Sequence, residues 1–89
     1  MPKQRKTASR KRKEVKPMEK KAHQIDVRVG KNIKAYRRVA KMRQDDLAKK
    51  VGVRFQQIAK YESALNRVSA SRLWLIAEAL EVNVQNLYR

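Results

Sequence analysis

The chain contains no cysteine, and its 89 residues include only two glycines, two prolines, one histidine and one tryptophan. Without thiols, neither a disulfide framework nor a thiolate metal site can form. The single histidine, His23, has no neighbours at metal-ligand spacing and reads as incidental. No nucleophile lies beside a base and no glycine-rich loop is present to cradle a phosphate, so no enzyme activity, cofactor or small-molecule ligand is expected. Long apolar runs are also missing. The longest, Leu73-Trp74-Leu75-Ile76-Ala77, falls well short of the roughly 20 residues that cross a bilayer. No apolar stretch follows the charged N-terminus, which argues against a secretory signal. Together these absences fit a protein of a reducing cytoplasm with no membrane partner.

Positive charge is what the chain has in excess. Lys and Arg number 24 against 8 Asp and Glu, a net charge of +16 at pH 7, with a pI of about 10.9. A field of that sign attracts polyanions, nucleic acid first and an anionic membrane surface second. The charge is split between two unlike segments. Residues 1–24 hold ten bases and two acids, a net +8, together with both prolines, Pro2 and Pro17. Their apolar residues are too sparse and irregular to build a buried face, which predicts a disordered basic arm with a transient helix after Pro17. Residues 25–89 also carry net +8, from 14 bases and 6 acids, but here apolar residues recur at helical spacing, which predicts one small folded domain.

Ile25, Val29, Ile33, Tyr36 and Ala40 mark one stripe of a helix 1 at about 26–40. Gly30 within it is a weak point, worth roughly 1 kcal/mol against Ala. Helix 2, at about 44–51, turns Leu47, Ala48 and Val51 inward. Asp45 and Asp46 lie in its first turn, at the positive end of the helix dipole, and read as dipole partners rather than as an acid-base couple. Gly52 supplies the left-handed conformation that ends a helix. Helix 3, at about 55–63, faces inward with Ile58 and Tyr61. Helix 4, at about 70–80, has Ser69 as its N-cap and buries Leu73, Ile76, Ala77 and Leu80. Tyr61 and Trp74 read as packing residues. Helix 5 follows Asn83 as N-cap, with Val82 and Leu87 placed as a hydrophobic staple. The fold class is all-α, with no strand pattern and no internal repeat.

Helices 2 and 3, joined through Gly52, form a helix-turn-helix, a shape whose second helix can enter the major groove of DNA. With Ile58 and Tyr61 facing the core, Phe55, Gln56, Ala59 and Lys60 project outward or to the flanks. Gln56 has the amide needed to bond N6 and N7 of adenine, and Lys60 can reach guanine O6 and N7 or a phosphate. Ala59 leaves room beside a base or touches a thymine methyl. For Phe55 two roles stay open: packing on Gln44 and helix 2, or touching thymine methyls and sugar.

These residues resemble the Cro and phage-repressor type of helix-turn-helix, the xenobiotic response element family. The resemblance covers about residues 26–88 and rests on Ile33, Arg37, Gln44-x-x-Leu47-Ala48, Val51-Gly52-Val53, Ile58, Tyr61-Glu62 and Ile76-Ala77-x-x-Leu80-x-Val82 with Leu87. It implies a five-helix, lambda-repressor-like DNA-binding domain that binds double-stranded DNA, as a homodimer on two-fold symmetric operators. By position it implies that Gln44 reaches a phosphate and braces the first side chain of the reading helix, and that Phe55, Gln56 and Lys60 face base edges. Arg54 and Gln57 then fall near the sugar-phosphate strand, and Asn66 and Arg67 meet the backbone from the loop after helix 3. Arg37 and Glu62 match a structural ion pair between helices 1 and 3. The chain departs from the pattern at five places. Arg43 and Arg54 replace hydroxyl N-caps, each typically worth about 1 kcal/mol. Lys41, Ala64 and Glu81 stand where glycine is common, so the helix ends are expected to be shaped differently.

The function expected is that of a sequence-specific transcriptional regulator, a repressor or autoregulator, in the cytoplasm at the nucleoid. The arm would lie along phosphates or enter a minor groove, and helix 5, through Val84, Leu87 and Tyr88, is the expected dimer interface. Two other readings stay open: an antitoxin-type protein that binds a protein partner and DNA together, and a non-specific nucleoid or RNA-binding protein governed by charge.

Overall fold

The structure is a computed structural model that describes the backbone of residues 2–89 and the side chains of residues 18–89. Helix α1 is Pro2–Val39, α2 is Gln44–Val51, α3 is Phe55–Glu62 and α4 is Ala70–Leu80, and a 3-10 helix follows at Val84–Tyr88. One cluster forms the core: Val29 and Ile33 of α1, Leu47, Ala48 and Val51 of α2, Ile58 and Tyr61 of α3, Leu73, Ile76, Ala77 and Leu80 of α4, and Leu87. Within each helix these residues are mostly three or four apart, so a single stripe of each faces inward. α1 lies against α3, α4 and the 3-10 helix, while α2 packs on α3 and α4. No helix among the described residues is long and apolar enough to cross a membrane.

α1 is longer than the helix expected at 26–40. Its backbone stays helical back to Pro2, through the segment expected to be a disordered arm. Lys, Arg, Gln, Glu, Ala and Met dominate that segment and are good helix formers, and Pro2 occupies the first helical position, where its missing N–H loses no partner. None of residues 18–24 is fully buried, and packing on the core begins at Ile25. The basic side chains at positions 3–16 lie outside the described residues. At its other end α1 stops at Val39, so Ala40, expected in the buried stripe, sits in the exposed turn.

Each α-helix ends on a left-handed residue. They are Lys41 (φ 58°), Gly52 (φ 74°), Ala64 (φ 61°) and Glu81 (φ 59°). In every case the next N–H donates to the carbonyl five residues back: Met42 to Arg37 at 3.0 Å, Val53 to Ala48 at 3.0 Å, Leu65 to Lys60 at 2.9 Å and Val82 to Ala77 at 3.0 Å. The helix ends are therefore not reshaped by the missing glycines. Side chains disfavour this conformation by about 1–2 kcal/mol each, but the turn satisfies carbonyls that a helix end leaves open. Met42, Val53 and Val82, each just past such a turn, then pack against the core.

The lost cap at Arg43 is made good from the other side. The Asp46 carboxylate accepts the Arg43 backbone N–H at 2.9 Å. That bond, helped by the charge of Arg43, holds the Asp46 carboxyl below the ordinary aspartate value. Its contribution is thus complete above the ordinary range and is lost as pH falls through the lowered value. Ser69 caps α4 as expected, its Oγ accepting the Arg72 N–H at 3.2 Å.

The fifth element is a 3-10 helix, not the α-helix expected. Asn83 forms no side-chain cap, while Asn32 Nδ2 of α1 donates to the carbonyls of Leu87 and Arg89 at 2.9 and 3.0 Å. Carbonyls satisfied from α1 need no continuing α-turn. Leu87 is fully buried, so it is a core residue and not the exposed interface residue expected.

Gly30 is likewise no weak point. A Cβ there would lie 2.5 Å from the Tyr61 carbonyl oxygen and 2.7 Å from that of Glu62, so the bare backbone lets α1 cross directly against the end of α3. Gly30→Ala gains about 1 kcal/mol of helix propensity but meets rigid backbone, which places its overpacking cost at or beyond the upper end of about 1–3 kcal/mol. The net loss of about 2 kcal/mol or more is expected to lower the thermal midpoint by roughly 8–16 °C. A midpoint that stayed level or rose would show that α1 and α3 do not meet here.

Candidate nucleic-acid interface

α3 is two turns long, and its last residue fixes it. Glu62 accepts two bonds from the Arg37 guanidinium of α1, Nε to Oε2 at 2.7 Å and Nη2 to Oε1 at 3.1 Å. Arg37 Nη1 also donates to the Met42 carbonyl at 2.8 Å, and Gln44 Nε2 donates to Glu62 Oε1 at 3.0 Å. One network thus joins α1, the turn after it, the first residue of α2 and the last residue of α3. Arg37 is 8% exposed and Glu62 9%. Among the described residues no buried side-chain nitrogen or oxygen lacks a partner, the condition under which a buried ion pair is tolerated.

With Ile58, Tyr61 and Glu62 turned inward, the opposite face of α3 is set. Arg54, Phe55, Gln56 and Lys60 are exposed and Gln57 is half-buried. Arg54, Gln56, Gln57 and Lys60 line one shallow groove together with Val53 and Tyr61. Gln56 and Lys60, four residues apart, share a helix face. Phe55 lies outside this groove. Its ring, 50% exposed, borders a neighbouring cleft formed with Arg43, Gln44 and Asp45 at the start of α2. Lys49 and Lys50 add exposed charge on α2.

Three expected residues also make contacts that the sequence does not announce. Gln44 turns one amide N–H inward to Glu62, leaving its second for an outside acceptor. Asn66 and Arg67 are exposed but do not join the α3 groove. They border a depression with Ile25, Asp26 and Val29 of α1, and Arg67 Nε is held by Asp26 Oδ2 at 2.9 Å.

Two residues escaped the sequence reading. Arg43, which figures there only as a lost cap, stands exposed beside Phe55 and keeps its guanidinium 3.5 and 3.6 Å from Asp45 and Asp46. Its place directly before Gln44 was the available signal. Arg72 donates through Nη1 to the Val51 carbonyl, tying α4 to the end of α2 beside the Gly52 turn. No sequence pattern announces that contact.

A family model described as helix-turn-helix matches residues 33–87. The chain belongs to this helix-turn-helix family, of the Cro and phage-repressor type. It is 44% identical over 66 residues to an uncharacterized transcriptional regulator in the ATPase CF(0) region of Rhodospirillum rubrum, covering 74% of this chain and 61% of that protein. It is 48% identical over 63 residues to the uncharacterized HTH-type transcriptional regulator y4aM of Sinorhizobium fredii, covering 71% of this chain and 44% of that one. The chain thus spans about half the length of these curated relatives. Among solved structures, the restriction-modification controller protein C.AhdI from Aeromonas hydrophila shares the fold, with a TM-score of 0.67 at 22% identity over 70% of this chain and 94% of that one. The master regulator for biofilm formation SinR, in a complex with DNA, superposes with a TM-score of 0.64 at 29% identity, over 68% of this chain and 98% of that one.

In this helix-turn-helix the buried pair sets the strongest stability expectation. Glu62→Ala leaves the Arg37 charge without its partner, and Arg37→Ala does the converse; each is expected to cost about 3–5 kcal/mol in urea unfolding. Replacing both together, Arg37→Met with Glu62→Leu, is expected to recover most of that loss. Single losses below about 1 kcal/mol, the value of an exposed pair, would show that the network is not buried in solution.

Proposed function

We propose that the chain is a sequence-specific, double-stranded DNA-binding transcriptional regulator, a repressor or autoregulator, that reads the major groove with α3. The observation carrying this reading is the row of exposed Arg54, Gln56 and Lys60 with half-buried Gln57, along the start and outer face of a helix whose back is locked by Ile58, Tyr61 and Glu62. A groove-reading helix needs bidentate amides for base edges and cations for phosphates, and this row supplies both. In the proposed complex Gln56 bonds adenine N6 and N7, and Lys60 reaches guanine or a phosphate. Arg54, Gln57 and the outer N–H of Gln44 meet the sugar-phosphate strand, as do Asn66 and Arg67 from their own position. The ten bases of residues 1–24 lie along phosphates or in a minor groove. Further support comes from the similarity to a regulator solved with DNA.

The unit proposed is a homodimer, its two α3 helices about 34 Å apart on successive major-groove faces. With Leu87 in the core, the apolar face that supports dimerisation is a cleft on α4 and the 3-10 helix, where Trp74, 58% exposed, lies beside Val82 and Val84.

Selection of bound sites from a random oligonucleotide pool tests the reading, and a palindromic consensus is the expected result. On the selected site Gln56→Ala is expected to cost about 1–3 kcal/mol and far less on random DNA. Equal losses on both would remove base reading from Gln56, and equal wild-type affinity for both would favour binding by charge alone.

Deleting residues 1–24 is expected to weaken binding to all DNA. The slope of log affinity against log salt should fall by several units, since each neutralised phosphate contributes about 0.9. An unchanged slope would mean that the arm does not touch the DNA.

A further inference from the structure

Phe55 is the only large apolar side chain exposed on α3, and the fold does not explain it. The ring is half exposed and is not among the hydrophobic residues packed against the core, while α3 is already anchored by Ile58, Tyr61 and Glu62. Its surroundings are set, however. Phe55 is the first residue of α3 and shares a cleft wall with Gln44, whose amide is tethered to Glu62 at 3.0 Å. An exposed aromatic ring in a fixed place gains free energy only when an apolar partner covers it.

The base edges of the major groove offer one apolar group. Besides the donors and acceptors and the bare ring C–H positions, the pyrimidine C5-methyl is the one protruding apolar group there, and a phenyl ring makes no strong hydrogen bond with the polar ones. We infer that Phe55 is a specificity-determining residue that reads a pyrimidine C5-methyl group beside the base read by Gln56. The inference rests on the major-groove reading by α3 proposed above. That methyl belongs to thymine or to 5-methylcytosine.

The test uses the whole chain and the site selected from the random pool. In one set of duplexes each thymine in turn is replaced by uracil, which removes the methyl and changes no donor or acceptor. In a second set each cytosine is replaced by 5-methylcytosine. One methyl contact is worth about fourfold in affinity, and about fifteenfold when both halves of a two-fold site carry it. A loss of that size at one thymine assigns thymine; a matching gain at one cytosine, with no thymine response, assigns 5-methylcytosine. Phe55→Ala is expected to abolish the response, and Phe55→Leu, which keeps an apolar contact, to retain part of it. Wild-type indifference to both sets would overturn the inference while leaving DNA binding intact, as would a response that persists undiminished in Phe55→Ala. A pool that enriches no site would overturn the reading on which the inference rests.

Discussion

A guanidinium and a carboxylate buried against each other set the direction in which α3 leaves the core. Two parallel bonds between Arg37 and Glu62 fix orientation as well as distance, which a lysine in place of Arg37 would not do. Ile58, one turn earlier, is a second fixed point, fully buried. Two anchors on one face leave α3 no freedom to roll. Advancing it by one residue, about 100°, would carry Ile58 off the core face and pull Glu62 away from Arg37. The bond from Gln44 to Glu62 extends the same constraint to the start of α2, so the two helices of the pair are aligned by side chains as well as by the turn at Gly52.

This arrangement demands close approach, and the chain accepts local strain to achieve it. Gly30 brings the backbone of α1 against the last carbonyls of α3, within reach of the buried pair. Three of the four helix ends turn through left-handed residues that carry side chains, at about 1–2 kcal/mol apiece. That sum is appreciable beside the 5–15 kcal/mol typical of a whole domain. Such turns persist where their surroundings over-determine them. Here the over-determination is visible in the bond from each following N–H and, at the Lys41 turn, in Arg37 holding the Met42 carbonyl.

What could be read in the sequence was what depends on neighbours along the chain. The bounds of α2 and α4 follow from apolar spacing, from Gly52 and from Ser69, and the outer face of α3 follows once Ile58 and Tyr61 are turned inward. What could not be read depends on neighbours across the fold. Helix propensity sees Gly30 as a defect because it contains no information about Tyr61 and Glu62. Leu87 looks the same as a staple, a core residue or an interface residue until Asn32 is seen to hold its carbonyl. Arg37 and Glu62 are 25 residues apart, and no periodicity pairs them; only the family resemblance brought them together. The tether of Arg67 to Asp26, 41 residues away, had no such clue, so its charge was assigned to the DNA side alone.

Four acids of the folded part are paired with arginines. Asp26, Asp45, Asp46 and Glu62 each lie within 4.0 Å of an arginine, either Arg67, Arg43 or Arg37. Arg54, Lys60, Lys49 and Lys50 have no such partner among the described residues. Exposed cations without such a partner also stand on α1 and the turn after it, at Arg28, Lys31, Lys34, Arg38 and Lys41, while Glu78 lines the cleft with Trp74 and Val84 on α4 and the 3-10 helix. A molecule of this net charge is drawn toward a polyanion before it touches it, since the field acts over a Debye length of about 8 Å at physiological salt. In the proposed complex the arm, carrying as much net charge as the domain, adds attraction without choosing a sequence, and discrimination is left to the few side chains that the Arg37–Glu62 pair holds in place.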